Sequence, residues 1–159
     1  DKLFAGPQAG VIAGDAALVQ ACAKHPLYRA FRPGSLVLSA LQDVALSYLD
    51  RSAGELPFWR MATAPVDALE RRARRIAADH PGVEVVTCAS VPGGGTLPGA
   101  ALPSAGLAVA GDVTAALRAG TPPVIARVED GRTLLDLRTV EPEDDHVVAA
   151  ALSAVEGGG

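Results

Sequence analysis

Two groups of residues near the start of the chain have types and spacing that could do chemistry. The run Asp1-Lys2-Leu3-Phe4-Ala5-Gly6-Pro7-Gln8-Ala9-Gly10 sets an amine beside an acid and ahead of small residues. A lysine attacks a carbonyl only as the free amine. Because an ordinary lysine titrates near about 10.4, burial or neighbouring positive charge must favour the neutral form for such chemistry. Gly6-Pro7 and Gly10 leave room for a flat ligand to approach the backbone. The plain alternative is a solvated lysine at a frayed chain end. The second group is His25-Pro26-Leu27-Tyr28-Arg29-Ala30-Phe31-Arg32. In a helical turn Arg29 and Arg32 point the same way, and two adjacent guanidiniums repel unless an anion lies between them. They precede a helix whose first amides also favour an anion, so a phosphate-type ligand fits. The competing reading pairs each arginine with an acid such as Asp43 or Glu55, and Pro33 biases Arg32 out of the helical region.

The elements that must position these groups follow from pattern. Ala9 to Ala13, apolar between glycines, reads as a short buried strand leading away from Lys2. Asp15 caps a helix carrying Leu18, Val19 and Cys22 that ends before Pro26. Pro33 is placed in the first turn of the next helix, which runs to about Leu49 with Leu38, Leu41, Ala45, Tyr48 and Leu49 on one face. Arg51 to Pro57 reads as a linker. From about Pro65 a second unit begins with a helix bearing Val66, Leu69, Ala73, Ile76 and Ala77, stopped by His80-Pro81-Gly82. Arg71, Arg72, Arg74 and Arg75 are assigned to its polar side. A solvated face is preferred there to an RNA contact, because no aromatic residue is interleaved.

Val83 to Cys88 and Leu107 to Ala110 read as strands, and Asp112 caps a short helix closed by Gly120. Val124 to Val128 and Thr133 to Leu137 flank Asp130-Gly131, a strong hairpin signal. Glu141, Glu143, Asp144 and Asp145 gather where the dipole of the last helix favours acids. Gly93 to Thr96 is expected to be a mobile loop and Gly157 to Gly159 a disordered end. The fold expected is a small α+β sandwich of about four mainly antiparallel strands with helices on one face. Residues 1–57 form one domain and 58–159 the other.

Composition bounds the function. Of 159 residues, 49% are hydrophobic and 20% charged, enough for a core. A net charge of −4 argues against this chain being a dominant electrostatic binder of nucleic acid. Cys22 and Cys88 lack metal or disulfide spacing, and His25, His80 and His146 stand singly, as surface or capping residues. No metal site is expected. No signal peptide or membrane-length apolar span is present, so the expected location is cytoplasmic.

The Asp1–Gly10 run and the double-arginine stretch resemble bacterial selenocysteine synthases, the L-seryl-tRNA(Sec) selenium transferases. Supporting segments are Gly95-Thr96-Leu97-Pro98, Leu102-Pro103-Ser104, Pro123-Val124-Ile125-Ala126-Arg127 and Asp130-Gly131-Arg132-x-x-Leu135-Asp136-Leu137-Arg138. The resemblance implies the C-terminal portion of a pyridoxal 5'-phosphate (PLP) transferase of fold type I. It further implies that Lys2 carries the cofactor as an internal aldimine, with Gly6 close to it, and that Asp1 acts in the same site. Arg29 and Arg32 would bind selenophosphate, the selenium donor. Seryl-tRNA(Sec) would be held mostly by regions outside this chain, in a homo-oligomer that the family builds as a decamer. Without an initiator Met, the chain reads as the C-terminal part of a longer polypeptide, inactive on its own. Gly34-Ser35 stands where the family commonly has Asp-Lys, Gln42 where it has Glu, and Ala5 where it has Gly. The alternatives are a related PLP-dependent lyase or ammonia-lyase acting on a small amino acid or amino sugar, or, for the isolated chain, a non-catalytic oligomerisation domain.

Overall fold

In the computed structural model, which describes residues 2–93 and 96–157, the chain opens with a 3-10 turn, Lys2–Phe4. The strand expected over Ala9 to Ala13 does not form. That stretch has no regular structure, and Val11 and Ile12 are 79% and 66% exposed. A strand needs a neighbouring edge to take its backbone hydrogen bonds, and the surrounding residues are helical. Asp15 caps α1 (Ala16–Lys24) as its sequence position requires, accepting from the amides of Ala17 and Leu18 at 2.9 and 3.1 Å. His25 opens α2 (Leu27–Ala30): its Nδ1 accepts from the Leu27 amide at 3.2 Å.

The long helix α3 spans Ser35–Leu49. Pro33 is not in its first turn. Gly34, with extended backbone, occupies the cap position and delays the helix start. Leu41, Val44, Ala45 and Tyr48 are partly buried, whereas Leu38 and Leu49 are exposed. The expected linker is partly structured, holding a 3-10 turn at Ala53–Glu55 and the start of α4 (Pro57–Ala62). The chain divides into compact units Asp1–Trp59 and Arg60–Gly159. No described residue of the first unit is buried.

The second unit holds the hydrophobic core. Its sheet has the order β1-β2-β4-β3, formed by β1 (Val83–Ser90), β2 (Leu102–Ala110), β3 (Arg127–Glu129) and β4 (Arg132–Asp136). Every pairing is antiparallel. The third strand is shorter than the sequence implies, since Val124 to Ala126 do not pair. Alternation puts Val83 and Val85, Ala105, Leu107 and Val109, and Leu135 on one face. There they pack with Leu69, Ala73 and Ile76 of α5 (Val66–Ala77), Leu117 of α6 (Thr114–Ala119), and Val148 and Leu152 of α7 (Asp145–Glu156). This is the small α+β domain with an antiparallel four-stranded sheet that the periodicities imply. Asp130 and Gly131 both have positive φ (50° and 72°) between the paired residues Glu129 and Arg132. That is the two-residue primed turn whose twist suits a hairpin. Gly94, Gly95, Gly158 and Gly159 lie outside the described residues.

Candidate functional site

Lys2 is exposed and sits at φ 58°, in the left-handed region that non-glycine residues rarely occupy. Ala5, three positions on, is also left-handed at φ 61°, and its amide donates to the Lys2 carbonyl at 2.9 Å. The turn rests on α3. The Tyr48 hydroxyl lies 3.1 Å from the Leu3 carbonyl oxygen and 3.2 Å from that of Phe4. Its ring stacks on Phe4 with centroids 5.2 Å apart, and it accepts a 2.6 Å hydrogen bond from Trp59 Nε1. A β-carbon at Gly6 would come within 3.4 to 3.6 Å of Leu41, Phe4 and Val44, so the glycine lets the chain lie close to the helix. Asp1 lies outside the described residues.

Arg29 lies in the last turn of α2, which ends at Ala30, and Arg32 lies two positions beyond that end, so no single helix carries both. Both are exposed, and among the described residues neither guanidinium has a hydrogen-bond or ion-pair partner. The pairing with Asp43 or Glu55 does not form. Gly34 offers no side chain to cap α3, so the amides of its first turn keep their affinity for an anion. Two unpaired guanidiniums and an uncapped helix start therefore occur within a few residues of each other.

The arginines of α5 divide differently from the sequence reading. Arg71 and Arg74 pair one turn back with Asp67 at 2.6 Å and Glu70 at 3.4 Å. Arg75 lies 3.8 Å from Asp145. Arg72 is not on the polar face but buried, donating to Asp145 at 2.7 Å and to the Leu137 and Val140 carbonyls at 3.2 and 2.8 Å. Helical spacing places it beside Leu69 and Ile76, and a long stem with five donors can reach carbonyls at the base of the core. His80 is likewise no surface residue: it is buried with Nδ1 2.8 Å from Glu156.

A polar cluster that sequence reasoning missed lies on the sheet face away from the helices. Asp136 accepts from Ser90, from Ser104 at 2.6 Å and from the Arg138 amide at 3.1 Å, and Arg127 approaches to 3.5 Å. Burial alone would raise its carboxyl, but the serine and amide hydrogen bonds and the Arg127 charge bring it below the usual carboxylate range. Burial, and then the Asp136 charge, push the Cys88 thiol up, away from thiolate reactivity. Strand register brings the group together: Gly106 pairs with Asp136 and Cys88 with Ser104. Among the described residues no group of His, Cys, Asp and Glu is arranged to hold a metal. No described helix is long and apolar enough to cross a membrane.

Toward a cofactor aldehyde such as that of PLP the chain offers the primary amine of Lys2 on an exposed turn, without the burial that the sequence reading asked of it. Comparison with known proteins identifies the relatives. A family model described as L-seryl-tRNA selenium transferase matches residues 1–141. The L-seryl-tRNA(Sec) selenium transferase of Aquifex aeolicus is 36% identical over 155 residues, covering 91% of this chain and 34% of its own length. The enzyme of the same name from Moorella thermoacetica is 37% identical, covering 99% and 37%. That from Geobacter sulfurreducens is 40% identical, covering 96% and 36%. The chain thus spans about a third of the length of these relatives, and it belongs to the L-seryl-tRNA selenium transferase family.

Proposed function

We propose that this chain is the C-terminal part of a cytoplasmic, homo-oligomeric PLP-dependent transferase of fold type I. The enzyme converts seryl-tRNA(Sec) to selenocysteinyl-tRNA(Sec) with selenophosphate. The observation that carries the reading is the pair of guanidiniums, Arg29 and Arg32, which have no partner among the described residues and lie ahead of an uncapped helix, in the unit that also bears the exposed Lys2 turn. Lys2 would hold the cofactor through Nζ, with Gly6 allowing the backbone to come close. PLP, when bound, supplies an electron sink for the carbon beside the substrate amino group. Once free, the Lys2 amine can take or return a proton. Arg29 and Arg32 bind the selenium-donor anion in a planar, two-pronged manner and stabilise the charge that develops on it. Asp1 orients that donor or tunes Lys2. Contacts to the tRNA belong mainly to parts of the enzyme beyond this chain, consistent with its net charge of −4.

Borohydride reduction of the full-length holoenzyme, followed by peptide mapping, tests the assignment. A pyridoxyl group is expected on Lys2; its appearance on another lysine, such as Lys24, overturns it.

A further inference from the structure

The Lys2 turn is held in a costly conformation by groups that the chemistry above does not use. Two non-glycine residues, Lys2 and Ala5, are left-handed within four positions. Such geometry persists only where the surroundings over-determine it. The turn's own bond, from the Ala5 amide to the Lys2 carbonyl, is one constraint. The others come from Tyr48 on α3. Its hydroxyl has one hydrogen to donate, shared between the Leu3 and Phe4 carbonyls, and its oxygen accepts from Trp59. With that acceptor position filled by Trp59 Nε1, the hydroxyl hydrogen is turned towards the two carbonyls. The near-parallel stack on Phe4, 11° between ring planes, fixes the side-chain direction of the residue two positions after Lys2.

We infer that Tyr48, oriented by Trp59, is a positioning residue that clamps the Lys2–Gly6 turn and so sets the direction in which the Lys2 amine emerges. The inference rests on the reading of Lys2 as the cofactor attachment point, but the clamp has a readout that does not involve the cofactor. Tyr48→Phe keeps the ring and its stack on Phe4 while removing the hydroxyl. It leaves two carbonyls and the Trp59 N–H to find other partners. Trp59→Phe removes the orienting donor, together with part of the ring that packs on Phe58, and should act in the same direction, more weakly.

Two measurements on the full-length enzyme decide the matter. In cofactor-free protein, amide hydrogen exchange at Ala5 should accelerate in Tyr48→Phe by roughly three- to tenfold, the size of one lost hydrogen bond. On adding PLP to the same apoenzyme, the rate at which it becomes reducible onto Lys2 should fall by about the same factor. Seryl-tRNA affinity and the protection of amides in the β1–β4 sheet should not change. Wild-type exchange at Ala5 in the variant overturns the clamp, and faster exchange with unchanged loading reduces Tyr48 to a packing residue and overturns its positioning role. A pyridoxyl group on a lysine other than Lys2 in the wild type overturns the functional reading instead. The clamp is then judged by exchange alone.

Discussion

Arg29 and Arg32 are exposed cations that no acid among the described residues satisfies, whereas Arg72 and Arg138 are buried cations held by carbonyls and, for Arg72, a carboxylate, with Arg138 Nε alone left without a partner among the described residues. The first pair is free to bind a ligand; the second is committed to structure. In the full-length enzyme, Arg29→Ala or Arg32→Ala should cost about 2–5 kcal/mol of interaction with a desolvated anion. Selenium transfer should fall steeply, while seryl-tRNA affinity, read by filter binding, changes little. Lysine replacements should rescue only in part, because an ammonium lacks the planar fork. Weaker tRNA binding with unchanged selenophosphate saturation would assign the pair to RNA. Asp136 makes a different prediction. Its carboxyl is held below the ordinary value near about 3.9, so folding favours the ionised form. The contribution is present above that value and is lost as pH falls through the lower folded one. Asp136→Asn should lower stability at neutral pH by about 2–3 kcal/mol, as expected for charged hydrogen bonds lost in a buried site. It should also flatten the acid limb of stability against pH measured by urea unfolding. Some acid dependence should remain, because hydrogen bonds from Arg71 and Thr114 also hold Asp67 and Asp112 low. An unchanged acid limb would remove Asp136 from the account.

At the scale of elements, β2 and β4 approach so closely at Gly106 that an added β-carbon would lie 2.2 Å from the Leu135 carbonyl oxygen. Gly106→Ala must therefore spread the two central strands, at a cost of about 3 kcal/mol or more, the upper range for overpacking. A thermal midpoint within a degree of wild type would show that the ladder yields without penalty. Arg72 ties α5 to the turn after β4 and to the start of α7. Arg72→Leu should cost roughly 3–5 kcal/mol, since Asp145 and two carbonyls lose their donor. By contrast, Arg71→Ala should leave the thermal midpoint nearly unchanged, because its partner Asp67 is an exposed residue one turn away.

For the whole molecule, the two units differ in what holds them. The second contains every buried residue among those described. The first exposes Val11, Phe31, Leu36 and Leu49, each by more than 75%. The isolated chain should therefore show one cooperative unfolding transition belonging to residues 60–157. Slow amide exchange should be concentrated in β1, β2, β4 and α5, with little protection in residues 2–59. On the proposed reading, in which parts of the enzyme outside this chain also hold the cofactor, the isolated chain should give no persistent absorbance with added PLP and no turnover. Protection in the first unit equal to that of the sheet, or robust catalysis by the chain alone, would contradict this division.

Local chemistry was legible in the residues. Asp15 as a cap, the Asp130-Gly131 hairpin, the stop after Ala77 and the alternation that builds the sheet all depend on neighbours within a few positions, and each appears in the fold. The lysine run and the arginine pair were visible for the same reason, as short contiguous patterns. What the sequence could not decide depends on partners distant along the chain. An apolar run between glycines at Ala9 to Ala13 is a strand only if an edge meets it, and none does. Arg72 looked like its three neighbours until the carbonyls of Leu137 and Val140 were brought beneath it. Asp136 became a buried carboxylate because strand register carries Ser90 and Ser104 to it from β1 and β2. Tyr48 read as one apolar position on a helix face; folding set its hydroxyl against the turn that follows Lys2. Periodicity reports which face of an element is buried, but only tertiary packing brings together groups separated by 32 to 73 residues.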